Sequence, residues 1–492
     1  MRPRALACLA ALAAFAAAGP LGGCSVNPAT GSRSFTAFMS PEEEARLGRQ
    51  EHPRIVAQFG GEHDDPGLRA YVARIGGALA ARSEMPSLEW RFTILDSDIV
   101  NAFALPGGHV YATRALLALA SSEAELAGVL GHEIGHVTAR HTAQRHSSGV
   151  LAQAGTTAAT ILGGIFLGGA GAQLAQDAVG GTAQMALAGY SRDQEFEADT
   201  LGVRYLSRGG YDTDAMASFL AKMQMESALQ AELAGRPGAA DEFSLLQSHP
   251  RTPDRVRQAR EAAGLAADLP DARVGEDEYL AAIDGLSWGG DARNGFVRNE
   301  DFVHPGLRLR FSVPRGFRIV NGDRAVVATG PGGGRILFDR DARAPRGQLP
   351  AYLAQAGFAQ PRATSIGGLP AASAAGRVRT QSGQALDVMV VLVEGADAVW
   401  RMRFLSPPEA SAALAPEFGR AAQSFRQMSA AEAAAARPFR IRVLRASPGD
   451  TQETMARRMA VTELRLRRFQ VLNGLQPGEG LQPGRRYKVV AD

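Results

Sequence analysis

Leu126-Ala127-Gly128-Val129-Leu130-Gly131-His132-Glu133-Ile134-Gly135-His136 is the stretch on which the reading of this chain turns. Ser122-Glu123-Ala124-Glu125 just before it has the form of a capping box, and Leu126, Val129, Leu130 and Ile134 recur near the helical period. A helix is therefore expected here. His132 and His136 are four apart, so both imidazoles project from one face on successive turns and can bind a single metal. Glu133, offset by one position, can reach a water at that metal without being a ligand. Composition alone yields such an HExxH string on the order of once per hundred chains of this length, so a third ligand has to decide the matter.

Two continuations are testable by reading on. A metzincin-type histidine would need Gly at 139 and His at 142, where the chain has Ala139 and Thr142. His141 follows His136 by five residues, about 140° away on a continuing helix, which makes it a surface or supporting histidine. The other continuation takes a glutamate from a later helix. Ser191-Arg192-Asp193-Gln194-Glu195-Phe196-Glu197-Ala198-Asp199 offers Glu195 and Asp199 on one face, one to bind the metal and the other to orient a ligand histidine. Glu197 points elsewhere.

With the later Glu-Phe-Glu-Ala-Asp, the HExxH string resembles the M48 family of zinc metallopeptidases, in particular its bacterial periplasmic lipoprotein members. The resemblance covers about residues 30 to 265, with further pieces in Asn101 to Gly108 and in Ser248-His249-Pro250 followed by Arg255. It implies that His132, His136 and Glu195 hold one Zn2+ per chain, that Glu133 is the catalytic glutamate, and that Asp199 is the aspartate following the glutamate ligand. It also implies proteolysis of misfolded or stalled envelope proteins, with outer-membrane assembly machinery as a partner. A developing oxyanion needs another donor, and His249 or Arg255 is a candidate for it. His249 has a second reading, in which it occupies the open metal position and holds the enzyme latent. The competing class of function is a chaperone or binding scaffold whose metal domain is silent.

Outward from this centre, Pro41-Glu42-Glu43-Glu44 opens a helix, with proline and acids where a helix N-terminus favours them. Arg91 to Leu95 and His109 to Ala112 read as short strands of a small sheet, and the second is expected to pair with an extended peptide substrate. Residues 147 to 176 carry no charge and many glycines, and read as a helical hairpin covering the site or touching a membrane or partner. The fold expected for residues 41 to 265 is a mainly α-helical zincin of gluzincin type with a small β-sheet.

Arg2 and Arg4 precede an apolar run from Ala5 to Ala18, and Leu21-Gly22-Gly23-Cys24 resembles a bacterial lipobox. Residues 1–23 are thus expected to be a signal peptide and Cys24 the lipidated start of a tether running to residue 40. Ser25 after the cysteine points to the inner leaflet of the outer membrane and a protein facing the periplasm. Cys8 and Cys24 are the two cysteines, so any metal in the body is held by His, Asp or Glu.

After a connector at 266–300, alternating stretches such as Leu307 to Val313 and Leu386 to Leu392 predict a small α+β domain over 301–430, without a catalytic constellation. Residues 438–492, with Pro448-Gly449-Asp450-Thr451 and Leu472-Asn473-Gly474-Leu475, resemble the LysM module, a βααβ unit that often binds peptidoglycan. The 492 residues require several domains. The 53 basic residues against 50 acidic ones leave a net +3 without a local basic cluster, so no nucleic-acid surface is expected. Lys222 and Lys488 are the only lysines, the rest of the basic charge being arginine.

Overall fold

The computed structural model describes residues 24–36, 38–155, 189–233, 235–240, 249, 253–266, 269–322, 325–380 and 383–492. The expected signal peptide and most of the glycine-rich stretch at 147–176 lie outside these residues. Among the described residues no helix is long and apolar enough to cross a membrane.

A strand pair, β1 (Cys24–Val26) and β2 (Arg33–Phe35), leads into α1 (Pro41–Gln58) and α2 (Pro66–Ala80). Ser40 and Glu43 close a capping box on α1, and the Asp65 carboxylate caps α2. Then come β3 (Arg91–Leu95), β4 (Ala102–Leu105) and β5 (His109–Thr113). Their order in the sheet is β3-β5-β4, with β3 parallel and β4 antiparallel to β5. This corrects one expectation. The strand at His109 to Ala112 has a neighbour on each side and has no free edge for a peptide, whereas β4 lies at the sheet edge. Gly107 and Gly108, at φ 81° and 89°, turn the chain from β4 to β5 where an added Cβ would meet Ala45 Cα at 2.6 Å and Glu89 O at 2.8 Å.

The helical layer comprises α3 (Arg114–Leu119), α4 (Glu123–Thr138), α5 (His141–Gly155), α6 (Arg192–Gly209), α7 (Ala215–Leu233), α8 (Pro253–Leu265) and α9 (Glu276–Ile283). Ser122 caps α4 by accepting from Glu125 N, but the Glu125 carboxylate accepts from Ser121 N rather than closing the box on Ser122. Small residues let α4 and α6 meet almost backbone to backbone. A Cβ on Gly131 would lie 3.3 Å from Gly202 Cα, and one on Gly202 would lie 3.1 Å from His132 N. That closeness brings Glu195 within reach of the two histidines.

The rest of the chain is rich in strands. A five-stranded sheet has the order β18-β10-β9-β8-β7, from β7 (Gly290–Asp291), β8 (Gly295–Arg298), β9 (Asp301–His304), β10 (Leu309–Ser312) and β18 (Arg426–Gln427). A seven-stranded antiparallel sheet has the order β11-β12-β13-β17-β16-β15-β14, from β11 (Arg318–Asn321), β12 (Val326–Thr329), β13 (Arg335–Arg340), β14 (Arg362–Ile366), β15 (Leu369–Arg379), β16 (Ala385–Glu394) and β17 (Val399–Ser406). Helices α10 (Leu349–Gln355) and α11 (Pro408–Ser424) contribute to two separate apolar clusters with this sheet, and α12 (Ala430–Ala435) follows. The last stretch has the order β19 (Phe439–Arg445), α13 (Gln452–Ala456), α14 (Arg465–Asn473), β20 (Arg486–Ala491). Strands β19 and β20 pair antiparallel, and β6 (Ser287–Trp288) joins the other edge of β19.

This final βααβ unit is not a separate bead. Phe439, Ile441, Met455, Phe469, Val489 and Val490 belong to one continuous apolar core with Leu116, Leu126, Leu130 and Tyr279 of the helical layer. Lys488 is fully buried, and its Nζ donates to the carbonyls of Ala118, Leu119 and Ala120 at the end of α3. Lys222 is also buried and donates to Ser121 Oγ and Glu125 Oε2, each at 2.7 Å, where α4 begins.

Candidate metal centre

Helix α4 presents His132 and His136 one turn apart, and their Nε2 atoms lie 3.0 Å from each other. Glu195, in the first turn of α6, faces both. Its Oε2 is 3.6 Å from His132 Nε2 and its Oε1 is 3.5 Å from His136 Nε2. His249 enters from the opposite side, with Nδ1 3.2 Å from His132 Nε2 and 2.8 Å from Glu195 Oε1. Tetrahedral ligands on a zinc-sized ion at about 2.0–2.1 Å would be separated by about 3.3 Å. The five distances cluster around that value, so the donor set fits such an ion, and the ligand atoms all lie within 4.8 Å of one another.

The surrounding side chains orient these donors. His132 Nδ1 lies 2.9 Å from Asp199 Oδ1, one turn beyond Glu195 on α6. Arg255, near the start of α8, donates from Nε and Nη2 to the two Asp199 oxygens at 2.7 Å each, and its Nη1 pairs with Glu195 Oε2 at 2.7 Å. Three guanidinium nitrogens are thus directed at carboxylates. His136 Nδ1 is 2.8 Å from His141 Nδ1, and His141 Nε2 is 3.1 Å from Glu197 Oε2. Asn27, from the turn after β1, donates to the other Glu197 oxygen. His141 is fully buried. The expectation that Glu197 points elsewhere holds only for the metal itself, because through His141 it fixes the ring of His136.

Glu133 sits beside the donors, 2% exposed, with Oε1 3.4 Å from His249 Nε2. Burial pushes its carboxyl above the usual glutamate range. Burial acts the same way on Glu195 and Asp199, but His249 and Arg255 outweigh it at Glu195, and Arg255 and His132 at Asp199, so both are held below their usual values. His249 is raised, since Glu195 and Glu133 outweigh the burial that opposes its charge. Neither Tyr190 nor the pocket beside His136 is evident in the sequence. The Tyr190 ring stacks on His136 with centroids 3.7 Å apart, and Arg145 covers its other face at 4.0 Å. Ala104, Pro106, Gly107, His136, Thr142 and Tyr190 help enclose a narrow cavity of about 30 Å³ between the β4 edge and the metal helix.

Residues 66–263, which contain His132, His136, Glu195 and His249, match the family model described as Peptidase family M48. The chain carries a peptidase family M48 domain. Its M48 region is similar to the "Beta-barrel assembly-enhancing protease" of Yersinia pestis, 34% identical over 221 residues, which are 44% of this chain and 43% of the relative. The protein of the same name from Escherichia coli K12 is 32% identical over 234 residues, 47% of this chain and 46% of its own. The "Mitochondrial metalloendopeptidase OMA1" of Schizosaccharomyces pombe is 29% identical over 251 residues, 50% of this chain and 67% of its own. The similarity thus spans less than half the length of the two bacterial relatives, and the strand-rich half of this chain falls outside the M48 match.

Proposed function

We propose that the protein is a zinc-dependent endopeptidase that hydrolyses peptide bonds in unfolded or misfolded proteins of the cell envelope. The observation that carries this reading is the convergence of His132, His136 and Glu195 at tetrahedral spacing with Glu133 beside them. Zinc bound there would supply a Lewis acid for the scissile carbonyl and lower the pKa of the water it holds. Glu133 accepts the proton of the attacking water and returns it to the departing amine, a task suited to a carboxyl that burial raises above its usual range. Asp199 holds the His132 ring, and His141 with Glu197 holds that of His136. The edge strand β4 offers main-chain groups to an extended substrate, binding it with little regard to sequence. Arg255 acts as a positioning residue, because its nitrogens are engaged by Glu195 and Asp199.

His249 is the fourth donor of a closed centre and keeps the enzyme latent until it is withdrawn. Its complete burial against Glu195, and its approach to Glu133, support this reading over an oxyanion donor. The same closure favours, as a second reading, a resting protein that works as an assembly chaperone. An envelope role is supported by the beta-barrel assembly for which the bacterial relatives are named and by the lipobox-like run ending at Cys24, which would anchor the protein to the outer membrane on its periplasmic side. The βααβ order of residues 439–491 supports a LysM-like unit with peptidoglycan as its ligand. Zinc titration into metal-free protein tests the assignment. One tightly held ion per chain is expected, with degradation of an unfolded protein abolished by chelation and restored by zinc. Absence of a stoichiometric ion contradicts it.

A further inference from the structure

Far from the metal centre, a cavity of about 200 Å³ lies where the M48 helices, the start of the strand-rich half and the final βααβ unit meet. Its apolar wall includes Trp288, Phe317 and Phe439. Its polar wall carries guanidinium groups that the fold leaves with donors to spare. The Arg318 side chain of β11 makes no hydrogen bond or close ion pair among the described residues, although Glu226 and Asp98 act on it from further off. Arg114 is 1% exposed, and while its Nε and Nη1 are used by Asp96 Oδ1 and Ser287 O, its Nη2 has no hydrogen-bond partner among the described residues. Arg468 completes the set, donating from Nε to Glu463 O. Buried N–H groups without acceptors are costly, and an arginine rarely stays buried without an anion.

From these orphaned donors and the aromatic wall facing them, we propose that this junction cavity is a binding site for a monocarboxylate with an aromatic or aliphatic body. The carboxylate would accept from Arg318 and from Arg114 Nη2, and the body would pack on Trp288, Phe317 and Phe439. Asp98, Glu226, Glu300 and Glu463 line the same cavity, so a polyanion such as phosphate meets more repulsion than a single carboxylate directed at Arg318 and Arg114 Nη2. Burial holds the Arg318 and Arg468 side chains below the usual arginine range against the pull of Glu226, Asp98 and Glu463, and pushes Asp98 up against that of Arg114 and Arg318. The volume suits about ten non-hydrogen atoms at protein packing density. Two sources share this chemistry, a small aromatic acid and the C-terminal residue of a polypeptide.

The test is calorimetric titration of the zinc-loaded chain from residue 24 onward with 3-phenylpropionate, its amide, inorganic phosphate, and acetyl-Ala-Ala-Phe as free acid and as amide. The acids are expected to bind, and each amide to bind about tenfold or more weaker. Arg318→Gln should weaken the acids by a similar factor and Arg318→Lys by less, with metal content unchanged. Because the Arg318 guanidinium makes no hydrogen bond or close ion pair among the described residues, Arg318→Gln is also expected to melt at the same temperature as the parent or higher. Binding of the tripeptide acid as tight as that of 3-phenylpropionate supports the site with a polypeptide terminus as its source, and binding of the small acid alone supports it with a small aromatic acid. Equal binding of acid and amide, phosphate binding as well as the acids, no acid binding at ~10 mM, or Arg318→Gln melting well below the parent would each overturn the proposal.

Discussion

His249 Nδ1 lies 2.8 Å from Glu195 Oε1, across 54 residues of chain, and the Nε2 of the same ring lies 3.4 Å from Glu133 Oε1. One imidazole therefore lies against both a candidate metal ligand and the proposed proton acceptor.

Removing that ring should open the centre. His249→Ala is expected to keep one zinc per chain through its three remaining ligands, to bind it about tenfold or more weakly, and to degrade an unfolded protein faster than the parent. Metal affinity and turnover both unchanged would rule out a fourth-ligand role.

Arg255 neutralises two buried carboxylates at once. Arg255→Ala leaves Glu195 and Asp199 without their cation, which should destabilise the metal-free protein by about 3–5 kcal/mol in urea denaturation. Arg255→Lys, which keeps the charge but loses the paired donors, is expected to fall between. A loss below about 1 kcal/mol for the alanine variant would mean that the network is not structural.

Lys488 ties the last strand to the carbonyls that end α3, directly before the metal helix. Lys488→Met removes a charged donor from three acceptors and should cost about 3 kcal/mol. Because the apolar core is continuous, calorimetry should show the M48 helices and residues 439–491 melting in one transition that moves as a whole. A separate, unshifted transition for the M48 helices would contradict the shared core.

His109 provides a pH test away from the metal. Burial, helped by His52, Arg91 and Arg49, pushes its imidazole down to about 4, against about 6.5 in an unfolded chain. Between these values the unfolded state takes up a proton that the folded state refuses, so this contribution is whole above pH ~6.5 and is lost as pH falls toward 4. His109→Gln should flatten the decline in stability across that window. An identical pH profile for both proteins would show that His109 is free to protonate in the fold.

The metal helix was legible because its information is local: two histidines at helical spacing behind a serine cap, and Glu195 with Asp199 on one face of a second capped helix. His141 was legible only as a surface or supporting histidine, and of these the supporting role holds, because the continuing helix assumed for it ends at Arg140. That residue adopts a left-handed conformation, φ 56°, which breaks the helix and brings His141 back onto His136. The strand at His109 was read as open to a peptide, but it is the central one, since sheet order depends on β3 pairing with β5 past the intervening β4. The βααβ order of residues 439–491 was implied by the resemblance that Gly449-Asp450-Thr451 and Asn473-Gly474-Leu475 carry, but its docking was not. The Lys488 contacts join positions nearly 370 residues apart, and no local pattern records them.

The central claim is that Glu133 moves the proton in a metal-dependent peptide hydrolysis. It is tested most directly by degradation of an unfolded protein with zinc-loaded His249→Ala protein, in comparison with His249→Ala/Glu133→Gln of equal zinc content and melting temperature. Cleavage by the first and a loss of at least about a hundredfold in the second is the expected result. Equal rates in the two would contradict it.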